Sequence, residues 1–349
     1  MVDGVSRRWD LKVKKNDANP IIVSVVMPIY NEEKYIKKCI DSLFKQSFPR
    51  KKMEWIFVDG MSKDKTKPII KQYIEEYPHL IKVFDNPDKT VPYAMNIGIK
   101  NSIGKYIVRL DAHAEYPEDY IDKCVYYLDV TDADNVGGIA ETHSRTPIGD
   151  IIAKMLSSRF GVGNSSFRTN GSSGYVDTVP FGAFRREVFE KYGYYDERLT
   201  RNQDNEMNYR IRKNGGKIYL ARDIHFIYYC RDTISGIIDM ALKNGAWNIV
   251  TMKLCPGSMG IRHFIPLLFV LSLVGLPILG FFNNVFFYLL ILELFLYGSL
   301  DCLFSVKASN SLNDFFWLML LYPVFHISYG LGSIKGIVLC MTKKYGGVF

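Results

Sequence analysis

The sequence predicts an α/β domain with a mostly parallel, doubly wound sheet, followed by transmembrane helices. Three observations carry this. Apolar runs of strand length alternate with segments whose apolar residues recur at helical spacing. Acidic residues stand at the ends of successive strands, and charged residues become rare after His263. At 349 residues the chain exceeds the usual single domain, so a large domain with an appendage is expected.

Residues 22–28, "IVSVVMP", form the first strand, and "NEEKYIKKCIDSLFKQS" the first helix, with Tyr35, Ile36, Cys39, Ile40, Leu43 and Phe44 at helical spacing. The pattern repeats: "EWIFVDG" (54–60) strand, "KTKPIIKQYIEEY" helix, "IKVFDNP" (81–87) strand, "VPYAMNIGIKNS" helix, "KYIVRLDA" strand. Such sheets bind ligands outside the carboxyl ends of their strands. Those ends carry Pro28-Ile29-Tyr30-Asn31-Glu32, then Asp59-Gly60-Met61-Ser62, then Asp85-Asn86, then Asp111-Ala112-His113. A helix N-cap would account for any one of these acids. Four in succession point to one crevice. No G-x-G-x-x-G follows the first strand and no P-loop motif occurs, which argues against dinucleotide oxidoreductases and P-loop enzymes. A divalent metal held by Asp111 and His113 is another way to meet phosphate charge.

From Phe264 to Val338 the only charged residues are Glu293, Asp301, Lys307, Asp314 and Lys335. Residues 264–282 and 285–306 are each close to the roughly 20 residues that cross a bilayer core. Residues 315–338, interrupted by Pro323, Gly330 and Gly332, are a third segment that spans or is broken. Glu293 and Asp301 need partners or water. Lys243, Lys253, Arg262 and His263 precede the first span, which places the large domain on the cytoplasmic side; a third crossing would carry Lys343 and Lys344 outward, against the same rule. No cleaved signal peptide is expected. The six cysteines are widely spaced and read as reduced structural thiols. The net charge of +8 is read as attraction to anionic lipid and anionic substrate, with no nucleic-acid partner. The expected organisation is an N-terminal extension (1–20), a catalytic domain (21–231), an interface region (232–263) and a transmembrane region (264–341). Within the interface region, Ile234, Ile237, Ile238, Ala241 and Leu242 share a helical face suited to a membrane surface. The Gly/Ser-rich residues 161–175 read as an acceptor-side loop.

"VSVVMPIYNEEKYIKKCIDSLFKQS", "FVDGMSKDKT", "AMNIGIKNSIGKYIVRLDAHA" and "RNQDNEMNYRIRKNGG" resemble, in order, the motifs of family 2 glycosyltransferases with the GT-A fold. The resemblance covers about residues 20–230. Within the family, "DAHAEYP", "DTVPFGAFRREVF" and "FHISYGLGSIKG" are most similar to the membrane-attached succinoglycan-biosynthesis ExoA type. The resemblance implies an inverting hexosyltransferase that moves sugar from a nucleotide sugar, UDP-linked, to a polyprenyl-diphosphate-linked acceptor in cell-surface or exopolysaccharide synthesis. It implies a membrane-lipid partner and a divalent ion, manganese or magnesium. It places Pro28, Tyr30 and Glu32 beside the nucleotide, Asp59 on the base with Ser62 in the same donor-binding motif, and Asp111 beside the sugar diphosphate. Arg231, at the start of the interface helix, reads either as reaching the diphosphate or a lipid phosphate or as a solvated surface arginine. Asp204 is the general base.

Two departures from the family pattern stand out. His113 replaces the second acid of Asp-x-Asp, an exchange that suits manganese better than magnesium. Gln203 replaces the acid before the base, which removes a charge beside it. Glu206 is a reserve base, although its spacing from Arg210 reads more simply as a helix ion pair. These departures leave open a catalytically dead, membrane-anchored nucleotide-sugar binder. A polyprenyl-phosphate sugar synthase is a second alternative, but it would need no hydroxyl-deprotonating base.

Overall fold

The computed structural model describes residues 21–169 and 171–342. The predicted extension, residues 1–20, and Lys343 and Lys344 of the topology argument lie outside the described residues.

The alternating pattern folds as read. Strands β1 (Val23–Ile29), β2 (Met53–Asp59), β3 (Ile81–Asp85) and β4 (Tyr106–Arg109) alternate with helices α1 (Ile36–Phe44), α2 (Thr66–Glu76) and α3 (Val91–Lys100). Then follow β5 (Ala114–Glu115), α4 (Tyr120–Val130), β6 (Asn135–His143), α5 (Pro147–Leu156), α6 (Arg159–Val162), β7 (Gly174–Tyr175), β8 (Ala183–Arg185), α7 (Glu187–Tyr192), α8 (Gln203–Lys213) and β9 (Ile218–Tyr229). The sheet order is β3-β2-β1-β4-β8-β6-β9-β5, with β7 on β9. β1, β2, β3 and β4 are parallel, whereas β8 runs antiparallel to both β4 and β6. β1 pairs with β2 on one side and β4 on the other, so the strand order reverses there and a crevice opens at its carboxyl end.

β1 and β2 are buried on both faces, as strands covered by helices on either side must be. Helix α3 approaches closely because Gly98 has no side chain: a Cβ there would stand 2.4 Å from Val26 Cγ1. Beneath the sheet's amino end, buried Glu54 accepts from Ser24 Oγ, the Ile103 N–H (2.6 Å) and Lys82 Nζ (2.7 Å), so its charge is paired and its oxygens satisfied.

The chain divides into two compact units, one running up to Glu141 and resuming at Ser172–Tyr228, the other made of Thr142–Gly171 and the chain from Tyr229 onward. The end of the first unit falls near the predicted boundary at 231, but residues 142–171, read from sequence as part of the catalytic domain, cluster with the C-terminal helices. Those helices are α9 (Ile234–Leu254), α10 (Ile265–Gly280), α11 (Val285–Ala308) and α12 (Leu312–Thr342). The reason is specific packing. Lys154 of α5 pairs with Asp314 of α12. The His326 Nε2 lies 2.9 Å from the Phe160 carbonyl oxygen, and its Nδ1 lies 2.9 Å from Tyr297 Oη.

α11, with 24 residues, and α12, with 31, are long and apolar enough to cross a membrane. The third segment, doubted because of Pro323 and its glycines, is therefore one continuous helix. The first forms a helix of only 16 residues, about 24 Å long. α10 and α11 pair as a hairpin in which Ser272 Oγ donates to Glu293 Oε1 (2.6 Å), and Asp301 accepts from Ser305 Oγ (3.0 Å). Each acid thus has one hydroxyl partner, although Glu293 Oε2 is buried without one. α9 lays its face against α12: Ile237, Ala241 and Gly245 are buried, so part of the face expected to meet the membrane surface is taken up by protein. All six cysteines are free.

Candidate active site

Each predicted donor-side residue of the first unit sits at the carboxyl end of the parallel strands. Pro28 lies near the end of β1, opposite Val58, and Ile29 lies opposite Asp59. Asp59 is fully buried, accepting from the Ser62 N–H (2.9 Å) and Ser62 Oγ, with Lys67 Nζ 3.4 Å away. Lys67 also holds Asp85 at 2.7 Å. Ser62 Oγ in turn accepts the Asn31 N–H (2.9 Å), and Asn31 Oδ1 accepts the Lys63 N–H (2.9 Å). The two strand-end loops are thus stitched together. Tyr30, 45% exposed, lies over Gly60, where any Cβ would stand 3.3 Å from its ring. Asn86, at the next strand end, is buried with its Oδ1 unpartnered, while its N–H donates to Asp59 O (2.7 Å).

Asp111 follows β4. Its N–H donates to the buried Tyr116 Oη (2.9 Å), which fixes the backbone at the turn into β5. Its Oδ1 is buried without a hydrogen-bond partner, 3.5 Å from Arg109 Nη2. His113 is half exposed, with Nδ1 3.2 Å from Glu32 Oε1. Among the described residues, no group of three or more His, Cys, Asp or Glu has the grouping to hold a metal by itself.

Asp204 lies in the first turn of α8, and its Oδ1 pairs with Arg109 Nη1. Arg109 therefore stands between the predicted donor-side and acceptor-side carboxylates. Burial raises the Asp204 pKa above the ordinary carboxylate value, Arg109 pulls it back down, and the Asp111 charge adds to the rise. Burial also opposes charge on Arg109, but Asp204 and Asp111 outweigh it and its pKa is raised. Glu206, the reserve base, is engaged by Arg210 at 2.9 and 2.8 Å, and Arg210 is anchored on the Tyr192 and Tyr194 carbonyl oxygens. That is the helix ion pair its spacing suggested. Gln203 is buried at the head of α8. Arg231, the remaining member of the predicted donor set, belongs to the second unit, just before α9.

Sequence reasoning passed over Arg109, whose signal was a basic residue inside an otherwise apolar strand. It also passed over the backbone. Among the described residues, five other than glycine have positive φ, and four of them flank the site: Asn31 (54°), Met61 (64°), Phe181 (45°) and Asn202 (61°). Strained backbone of this kind persists where the surroundings over-determine it, and it clusters at functional sites. Phe181 covers the Arg109 guanidinium at 5.3 Å, and Asn202 opens the turn that delivers Asp204.

Acidic strand ends beside a reversal in strand order, with a carboxylate brought in by a later helix, define a nucleotide-sugar-dependent transferase of GT-A type. Residues 24–193 match the family described as Glycosyl transferase family 2, and the chain carries a domain of that family and is a glycosyltransferase. It is similar along most of its length to the dolichyl N-acetyl-alpha-D-glucosaminyl phosphate 3-beta-D-2,3-diacetamido-2,3-dideoxy-beta-D-glucuronosyltransferase of Methanococcus voltae, with 28% identity over 90% of this chain and 97% of that protein. Succinoglycan biosynthesis protein ExoA of Rhizobium meliloti (strain 1021) is also 28% identical, over 70% of this chain and 74% of that protein. The mannosyltransferase PcManGT of Pyrobaculum calidifontis, solved with GDP-Man and Mn2+, shares the fold with a TM-score of 0.55 at 19% identity, covering 97% of this chain and 93% of that one.

Proposed function

We propose that this glycosyltransferase works by inversion at a membrane, moving a sugar from a nucleotide sugar, UDP-linked, to a hydroxyl of a polyprenyl-diphosphate-linked saccharide in cell-surface glycan assembly. The observation that carries the reading is the placement of Asp111 and Asp204 on either side of one buried arginine at the carboxyl ends of the parallel strands. Tyr30, Glu32 and the loop tied down by Asp59 and Ser62 form the nucleotide side. Asp204 takes the acceptor proton, a role for which a partly buried carboxylate with a raised pKa is well matched. The relatives' names, one dolichyl-linked and one succinoglycan-directed, support a lipid-linked acceptor. α11 and α12 would hold the enzyme in the cell membrane, with the catalytic unit on the cytoplasmic side where Lys253, Arg262 and His263 gather before α10.

The residues present fit a divalent ion. Asp111 offers a buried oxygen that lacks a hydrogen bond, and a proton on His113 Nδ1 directed at Glu32 puts the imidazole lone pair on Nε2. Two protein ligands are too few, so diphosphate oxygens and water would complete the set. Such an ion would supply countercharge to the departing diphosphate. Donor binding is therefore expected to be tighter in manganese than in magnesium, and His113→Asp to narrow that difference. Titration calorimetry with UDP in each metal checks this; an unchanged metal preference in His113→Ala removes the imidazole from the ligand set. Asp59→Ala is expected to weaken UDP binding by roughly 10- to 100-fold, the scale of a hydrogen bond to a charged group. If only the turnover number changes, Asp59 does not serve the donor pocket.

The reading as a whole is tested by incubating the detergent-solubilised enzyme with a panel of UDP- and GDP-sugars, polyprenyl-diphosphate saccharides and manganese. Product with an inverted anomeric centre is the expected result. Binding without any transfer or donor hydrolysis across the panel would instead identify a nucleotide-sugar binder.

A further inference from the structure

Arg109 is an unusual residue to find inside a strand of this sheet. Its side chain is 4% exposed, its Nε is buried without a partner, and Phe181 closes over the guanidinium. A buried arginine is costly unless its charge is matched, and here it is matched by two carboxylates from different parts of the chain. Asp111 is two residues on, just past the end of the strand, and Asp204 is 95 residues away on α8. The fork geometry of a guanidinium lets one residue address both at once.

We infer that Arg109 is a positioning residue that fixes Asp204 as an oriented carboxylate and ties its setting to that of Asp111 on the donor side. This rests on Asp204 as the acceptor-side base. Without Arg109, Asp204 would keep its burial and the repulsion of Asp111 but lose its countercharge. The charged and titratable groups that face it are Arg109 from β4, Asp111 just beyond β4, and Tyr195 ahead of α8. The arginine therefore reconciles the partial burial of the base, which raises its proton affinity, with the need for it to be deprotonated before the acceptor arrives. Four side chains do this together, because Phe181 excludes water from the guanidinium and keeps the pairing in a low-dielectric setting.

The sign of the expected effect follows. The folded-state pKa of Asp204 already lies above its unfolded value of about 3.9 in the parent, and Arg109→Gln, which removes the partner that lowers it, raises it further. The stability this group contributes is then present below about pH 3.9 and is lost as pH rises through the folded pKa. The melting temperature of Arg109→Gln, measured in detergent, should fall away from that of the parent as pH rises through and above the folded-state pKa of Asp204, with the gap widening by roughly 5 °C or more. The double variant Arg109→Gln/Asp204→Asn should show no such widening. In parallel, the acidic limb of the pH profile for UDP release from a UDP-sugar should move to higher pH in Arg109→Gln, with the rate recovering toward the parent in alkali. Arg109→Lys, which keeps the charge, should leave that limb in place. Melting curves that stay parallel across pH, or a rate loss of equal size at every pH, would overturn the inference. If Arg109→Gln does not fold, Arg109→Lys decides: activity with an unmoved limb supports the role, and inactivity at every pH overturns it. Asp204→Asn with the parent's UDP release would refute the base instead, and leaves the melting experiment to judge Arg109 independently.

Discussion

Asp204→Asn is expected to lower sugar transfer by roughly 100-fold or more while UDP binds almost as before, because an amide has the shape of the carboxylate but cannot take a proton. The amide oxygen can still accept from Arg109, and the remaining charge on Arg109 is met by Asp111. The loss should therefore fall on kcat and not on donor affinity. Paired measurements of transfer rate and UDP affinity check this. Equal rates in parent and variant would remove Asp204 from the chemistry, with Glu206 a poor substitute given its commitment to Arg210.

The second large effect is expected far from the chemistry, where α9 and α12 pack. A Cβ at Gly332 would stand 2.2 Å from the Leu242 carbonyl oxygen, one at Gly336 would stand 2.5 Å from that of Ala246, and one at Gly245 would stand 2.0 Å from that of Tyr329. Small residues let helix backbones approach this closely, and nothing larger fits without separating the pair. Gly332→Val should cost about 3 kcal/mol, the upper end of ordinary overpacking. Gly298→Val in α11 is the control, because no atom lies within 4 Å of its added Cβ. Thermal unfolding in the same detergent should separate the two variants clearly. If both melt alike, close packing of α9 on α12 is not what holds these helices.

The first four strands and three helices were legible in the sequence because a strand buried on both faces must be apolar throughout, and "IVSVVMP" and "EWIFVDG" are. The strand-end acids could be listed for the same reason. The antiparallel half was not legible. β5, β7 and β8 are two or three residues long, and their pairing is set by distant partners such as Ala183 against Val108. Pro323, Gly330 and Gly332 weaken helix propensity in α12, which is why the sequence leaves that segment as spanning or broken, but those two glycines, with Gly336, are where other helices come close. Tertiary contact outweighs propensity there. Arg109 went unremarked because a charge in a strand acquires meaning only when its partner, 95 positions later, is known to fold back onto it. His113 and Glu32 form a similar long-range pair, 81 positions apart.

The interrupted second unit has a consequence for how the protein is made. Its first piece, residues 142–171, is synthesised before the rest of the catalytic unit, whereas the partners of Lys154 and Phe160 are Asp314 and His326, 160 and 166 positions downstream. At ordinary rates of translation this leaves α5, with Ile151, Ile152, Met155 and Leu156 on its apolar face, without its companion helices for roughly 10 to 40 seconds. During that interval the nascent chain carries an uncovered greasy surface. Arrival of α12 is then the event that ends the exposure, so a chain stalled before residue 312 should be a preferred client of chaperones and proteases.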